Sequence, residues 1–225
     1  MAIHYPNPDL PKLKLAFAMG GGVSLGSFSG SALTEVIKLA LLKIVEGTAT
    51  YGEVEIDVFS GASAGSLSIA VMIRALSFRT AEETKQAEAN LLKAHPGLNG
   101  RWEDLPKKLK DDLIAAQVAQ DLQARAWVGG DSNGITIDDL LALGEEDETK
   151  QRRETMRFEA GLLNAEAVYG LARRLLLPNG DNKVTIDRRM LAQRCLFAPT
   201  LTNLTPLLMD SSRHFSLTDQ SVIGM

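Results

Sequence analysis

Apolar and polar positions divide this chain into an opening of alternating strand and helix signals, a long helical middle, and a closing return to strands. Leu13–Met19 (LKLAFAM) is a short apolar run that stops at three glycines, as a buried strand does. Leu33, Val36, Ile37, Ala40, Leu41, Ile44 and Val45 recur at helical spacing between Ser31 and Glu46, and Gly47 stands where that helix should end. Val54–Phe59 reads as a second strand, closed by Gly61. Leu67–Leu76 is apolar nearly all round, the mark of a buried helix.

The middle has a different texture. Residues 80–94 and 107–127 read as amphipathic helices, punctuated by Pro96-Gly97 and Gly129-Gly130. Thr136 with Asp139 resembles a capping box at the start of IDDLLAL. The charged run at 145–159 suits a solvated helix face or a mobile loop. Gly161–Leu177 is helical again and stops at Pro178-Asn179-Gly180. The span 80–180 is therefore expected to be a helical insertion or cap within a single domain covering residues 1–225. Strand character returns at Arg194–Thr202 and His214–Leu217. Three prolines among the first eleven residues suggest an extended lead-in, and there is no internal repeat.

Composition narrows this only slightly. With 225 residues, 45% of them hydrophobic, a sizeable core is available. A net charge of −4 with no basic stripe does not favour nucleic acid. Cys195 is the only cysteine, which excludes an internal disulfide and a multi-cysteine metal site. No signal-type N-terminus and no apolar run of about 18 residues is evident, so the expectation is a cytoplasmic protein without a membrane span.

The chemistry gathers in the first third. Strand, helix, strand over this length is a βαβ unit, whose strands are parallel. The loop after the first strand and the turn after the second then share one edge of the sheet, the edge where ligands bind in open α/β folds. Gly20-Gly21-Gly22 lies in the loop, and Gly61-Ala62-Ser63-Ala64-Gly65 lies in the turn. Successive glycines let bare N–H groups converge on one point. G-x-S-x-G between a strand and a helix marks a sharp turn that exposes a nucleophilic serine. An attacked acyl carbonyl becomes an oxyanion, which such amides, and the N–H of Ala64, stabilise.

Other readings of the same residues stay open. Gly20, Gly22 and Gly26 give G-x-G-x-x-x-G, one residue longer than the dinucleotide fingerprint, with Leu25 in place of its third glycine. Phosphate-loop spacing runs from Gly21 to Gly26, but Ser27 follows where lysine is required. A tight turn with a buried serine is a purely structural alternative. His214 follows Ser63 in the order of an α/β-hydrolase triad, yet that fold places several strands before its nucleophile.

GGGVSLG (Gly20–Gly26) and GASAG (Gly61–Gly65), in this order and context, resemble the patatin-like phospholipases, and Asp57 in IDVFSGASAG fits the same approach to the turn. The resemblance is strong over residues 13–76 and resumes at LFAPTLTNL. It implies a three-layer α/β/α domain with a mostly parallel central sheet and a helical insertion. It also implies a serine acyl hydrolase acting on phospholipids or lysophospholipids, with peripheral membrane contact, no cofactor and no metal. Self-association is left open. By this analogy Ser63 is the nucleophile, Gly61 and Gly65 shape its elbow, and Gly20, Gly21, Gly22, Val23 and Ala64 form the oxyanion hole. The basic residue frequent in the family's loop is missing, since Val23 and Ser24 are uncharged.

The family's base is an aspartate in Asp-Gly, and this sequence has no Asp-Gly dipeptide. Asp210 and Asp219 are the late aspartates, neither followed by glycine. The expectation is a C-terminally truncated domain whose catalytic aspartate lies past residue 225. The rival expectation is a catalytically incomplete fragment or pseudoenzyme acting as a lipid-binding or protein-interaction module. Trp102, Trp127 and Phe158 are candidates for lipid contact, with buried packing as the alternative.

Overall fold

The computed structural model describes residues 3–22, 25–127, 172–173, 175–177, 184–186, 189–211 and 215–223. Its opening runs β1 (Lys12–Met19), α1 (Leu25–Glu46), β2 (Glu53–Ala62), α2 (Ala64–Ser77), β3 (Phe78–Thr80) and α3 (Ala81–Ala94). A single 3₁₀ turn (Pro96–Leu98) leads to α4 (Lys107–Trp127). β4 (Val184–Ile186), β5 (Leu191–Ser211) and β6 (Phe215–Ile223) follow. The fold is α/β. The main sheet has order β1-β2-β5-β6, with β1, β2 and β5 parallel and β6 antiparallel to β5. The short β3 and β4, which no pattern in the sequence announces, form a separate antiparallel pair.

The chain steps from β1 to β2 to β5 in one direction across the sheet. Right-handed crossovers made in one direction deliver their helices to one face. Accordingly α1, α2 and α4 pack on one another over a shared side of the sheet. Leu13, Leu15 and Phe17 of β1, with Val54, Ile56 and Phe59 of β2, supply that side. Phe17 stacks on fully buried Phe59 with ring centroids 5.7 Å apart. The other side carries a ladder of ion pairs, Lys12 to Glu55 at 2.6 Å and Lys14 to Asp57 at 3.2 Å.

Inward-facing positions on β2 are even up to Ile56 and odd from Phe59, because Asp57 is an extra residue that pairs in neither ladder. A β-bulge of this kind re-aims everything after it. It turns Gly61 towards α2 and sets the phase in which the strand ends at Ser63.

The helices match the sequence pattern with instructive differences. α3 and α4 occupy the expected spans. Thr80 caps α3 in a full capping box with Glu83, whose carboxylate also holds Arg74 at 2.8 Å. α1 begins at Leu25, well before the apolar periodicity starts at Leu33. Leu109, Leu113, Ala115, Ala116 and Ala119 of α4 have no exposed surface, so this part of the expected insertion belongs to the main core. Residues 128–171 lie outside the described residues. With them go the Thr136 capping box, the charged run at 145–159, Phe158 and most of the helix expected from Gly161. Trp102 is a core residue, 5% exposed, with its indole N–H donated to Glu88.

Candidate active site at the β1/β2 edge

β1 and β2 are adjacent and parallel, with Met19 opposite Gly61. The glycine loop and the serine turn therefore emerge side by side from one edge of the sheet. Ser63 is the residue between β2 and α2, at φ 49° and ψ −120°. A non-glycine residue in that conformation is strained, and such strain persists only where the surroundings enforce it. Serine at a helix N-cap ordinarily adopts extended backbone and turns its hydroxyl onto the first turn. Ser63 does neither: its side chain makes no capping hydrogen bond, and the residue is exposed. The hydroxyl stands clear at the top of the turn.

Neighbouring small residues enforce the turn. A Cβ on Gly65 would lie 2.6 Å from the Met19 carbonyl oxygen and 2.7 Å from that of Gly20, so α2 reaches the end of β1 only because Gly65 has no side chain. Gly61 is hemmed in equally, and its carbonyl accepts a 2.7 Å hydrogen bond from the Ser66 hydroxyl. Ser66 braces the elbow from inside the helix, a role the sequence hinted at only by placing a second serine after Gly65. The first helical bond, Leu67 N–H to Ser63 carbonyl, is 3.2 Å long.

The glycine loop meets this turn. A Cβ on Gly21 would lie 3.0 Å from the Ser63 Cβ and 3.2 Å from the Ala62 carbonyl oxygen. Gly20 and Gly21 are exposed, and Gly22 has φ 134°, a conformation open in practice to glycine. Ala64 is the first residue of α2, so its N–H has no intrahelical acceptor and lies at the positive end of the helix dipole. Gly20, Gly21, Gly22, Gly61, Ser63, Ala64 and Gly65 are thus gathered at one place. Val23 lies outside the described residues. Such an arrangement suits attack by Ser63 on a carbonyl whose developing negative charge is met by backbone amides.

Gly26 sits elsewhere. It is a helical residue of α1, and a Cβ there would stand 2.6–2.7 Å from the Trp127 ring. Its backbone face is taken by α4, which leaves the last glycine of the G-x-G-x-x-x-G spacing no surface to offer a phosphate.

Among the residues whose side chains are described, no base accompanies the serine. Opposite Ala62 stands Thr200 of β5. Asp219 pairs with Leu207, and Asp210 pairs with Ser216 near the far end of β5. Counted along β6 from Ile223, which stands opposite Thr200, Asp219 is four residues away and Ser216, the partner of Asp210, is seven, so at about 3.3 Å per residue these backbones lie roughly 13 and 23 Å along the strands from the level of Ala62. Asp57 lies back along β2, paired with Lys14. His4 belongs to the lead-in segment, and His95 caps α3. His214 lies outside the described residues. Burial, then the charge of Asp57, pushes the Cys195 thiol above its ordinary range. Among the described residues no three His, Cys, Asp or Glu side chains cluster to hold a metal ion. None of the described helices is long and apolar enough to cross a membrane.

Two polar features lie away from this edge. An open groove of about 650 Å³ between α1, α3 and α4 is lined by Glu35, Lys38, His95, Gln117 and Asp121 among others. The Lys38 ammonium there is already held by Glu35 and Gln120. At the opposite end of the strands, the Tyr5 hydroxyl donates to fully buried Asp112 at 2.6 Å. Burial raises the Asp112 carboxyl to about 6, against the lowering effects of Tyr5, Arg189 and Lys108.

No protein-family model matches this chain, no curated protein is detectably similar in sequence, and no solved structure is detectably similar in fold.

Proposed function

We propose that this chain forms the nucleophile-bearing part of a patatin-like serine acyl hydrolase, of the phospholipase A or lysophospholipase type. In this reading the α/β core is part of a three-layer α/β/α domain. Ser63 Oγ attacks the acyl carbonyl, and the N–H groups of Gly21, Gly22 and Ala64 face the resulting oxyanion. Collapse of the tetrahedral adduct expels the lipid alcohol and leaves the acyl chain on Ser63. Water then adds to the acyl-enzyme and releases the fatty acid. A carboxylate outside the described residues takes the serine proton and later activates water. The substrate requires only peripheral contact with a lipid surface, and no cofactor takes part.

The observation that carries this reading is the exposed, uncapped Ser63 at φ 49° with Gly21 against its Cβ. A fluorophosphonate probe tests it. Covalent labelling of the chain that disappears in Ser63→Ala supports an activated serine. A folded chain that stays unlabelled rejects it.

A second reading has its own support: Ser63 has no base among the residues whose side chains are described, and the strand register sets the backbones of Asp210 and Asp219 beyond the level of Ala62. In it the chain is a catalytically incomplete module that binds lipid or protein. It foresees vesicle or partner binding by both wild type and Ser63→Ala, with neither labelled.

A further inference from the structure

We infer that Gln123 and Trp127 of α4 are positioning residues that fix the distance between the oxyanion loop and the nucleophile. The inference rests on the proposed role of Ser63. Its ground is a set of contacts at the top of the helical layer that join the two helices flanking the site.

α1 begins three residues after Gly22, and α2 begins immediately after Ser63. Any sliding or tilting of one helix against the other changes how the loop amides face the hydroxyl. Gln123 and Trp127 touch both helices. On α2, Gln123 Nε2 donates to the backbone carbonyl of Ser68 at 2.6 Å, and Trp127 Nε1 donates to Ser68 Oγ at 3.1 Å. On α1, a Cβ at Gly30 would lie 2.5 Å from Gln123 Oε1, and one at Gly26 would enter the Trp127 ring. The two glycines, one helical turn apart, form a seat into which these side chains fit.

The chemistry of the pair restricts what fits. Trp127 Nε1 also donates to Gln123 Oε1 at 3.0 Å. An indole N–H only donates, and a peptide carbonyl only accepts. Between them stands a side chain that accepts on one side and donates on the other, which a terminal amide does and a carboxylate or thioether does not. Gln123 is 1% exposed and Ser68 fully buried, so no water can substitute for a lost partner without rearrangement. A buried amide bonded at both its nitrogen and its oxygen defines one arrangement of three helices where apolar packing alone would tolerate several. The first two turns of α1, ahead of its apolar periodicity, are where these contacts fall: Gly26 and Gly30 lie beneath the α4 side chains.

The test measures Ser63 labelling by a fluorophosphonate probe at a series of concentrations, in the full chain. Trp127→Phe keeps the ring on Gly26 and removes the N–H; Gln123→Met keeps length and removes the amide. We expect the maximal labelling rate to fall about tenfold in each, with the half-saturating probe concentration within twofold of wild type. Gln123→Glu should not rescue Gln123→Met, because a carboxylate faces the Ser68 carbonyl. If Gln123→Met does not fold, Trp127→Phe decides alone. Wild-type rates in a folded Trp127→Phe overturn the inference and leave the proposed function standing. A slowing that only tracks the unfolded fraction, measured by urea titration, also overturns it. A wild-type chain that is never labelled removes the proposed function and this inference together.

Discussion

The backbone of Gly21 lies against the Cβ of Ser63, so close that a methyl group at residue 21 would come within 3.0 Å of it. A side chain at residue 21 would fit only if the loop or the elbow gave way by a few tenths of an ångström. Gly21→Val should therefore push the loop away from the hydroxyl. Because Gly21 is exposed, the fold should survive. The expected outcome is a fall of about tenfold or more in the rate of fluorophosphonate labelling, the scale of losing one oxyanion donor, with little change in melting temperature. An unchanged rate would show that the loop amides do not serve Ser63.

Strain at Ser63 makes a prediction of opposite sign for stability. At φ 49° and ψ −120° a side chain is disfavoured, and relief is worth about 1–3 kcal/mol. Ser63→Gly should raise the unfolding free energy by an amount of that order in urea titration while abolishing labelling. A destabilised Ser63→Gly would mean the turn is relaxed, and the case for a functional constraint would weaken.

Gly65 answers to a harder boundary. The atoms that a new Cβ would meet are the carbonyls of Met19 and Gly20, main-chain groups that cannot rotate aside. Gly65→Ala should separate α2 from the end of β1 at a cost of about 1–3 kcal/mol or more. Thermal melting checks this, and a neutral substitution would contradict the close approach described here.

Asp112 makes the stability of the fold depend on pH. Its carboxyl titrates near 6 in the fold, above its ordinary range, because it is buried. A raised carboxyl favours the folded state when protonated. That contribution is complete below about pH 4 and is lost as pH rises through 6, amounting to about 3 kcal/mol. Glu53 runs the other way. Burial would raise it, but Lys108 and Lys12 outweigh that and hold it below its ordinary range. Its share is lost as pH falls. Asp112→Asn isolates the first effect: relative to wild type, the variant should gain about 3 kcal/mol between pH 4 and 7.5. A pH-independent difference between the two would refute the assignment.

Periodicity made α3 legible because one of its faces meets water; the span of α4 followed as well, although its residues 112–119 are buried all round and the helix is not the amphipathic one expected. It placed β1 and β2 because short apolar runs end at glycine. It also singled out Ser63 and the glycine loop, since the residue types a strained turn and a bare-amide loop need are few. It did not reveal the start of α1, where Gly26 and Gly30 carry no apolar side chain and instead receive Trp127 and Gln123 of α4. It did not show that α4 is core, because apolar residues on a helix do not say which partner they meet.

What the sequence determined by itself, then, is local: two strands, the helices, and a serine between glycines, each specified by backbone freedom and hydrophobic period within a few residues. Tertiary structure alone decided that Met19 stands opposite Gly61, that the Asp57 bulge sets the phase of the elbow, and that Gln123 and Trp127 bridge two helices. Those relations depend on register and on side chains meeting across long sequence separations, and no local rule encodes which distant neighbour fills the space beside a glycine.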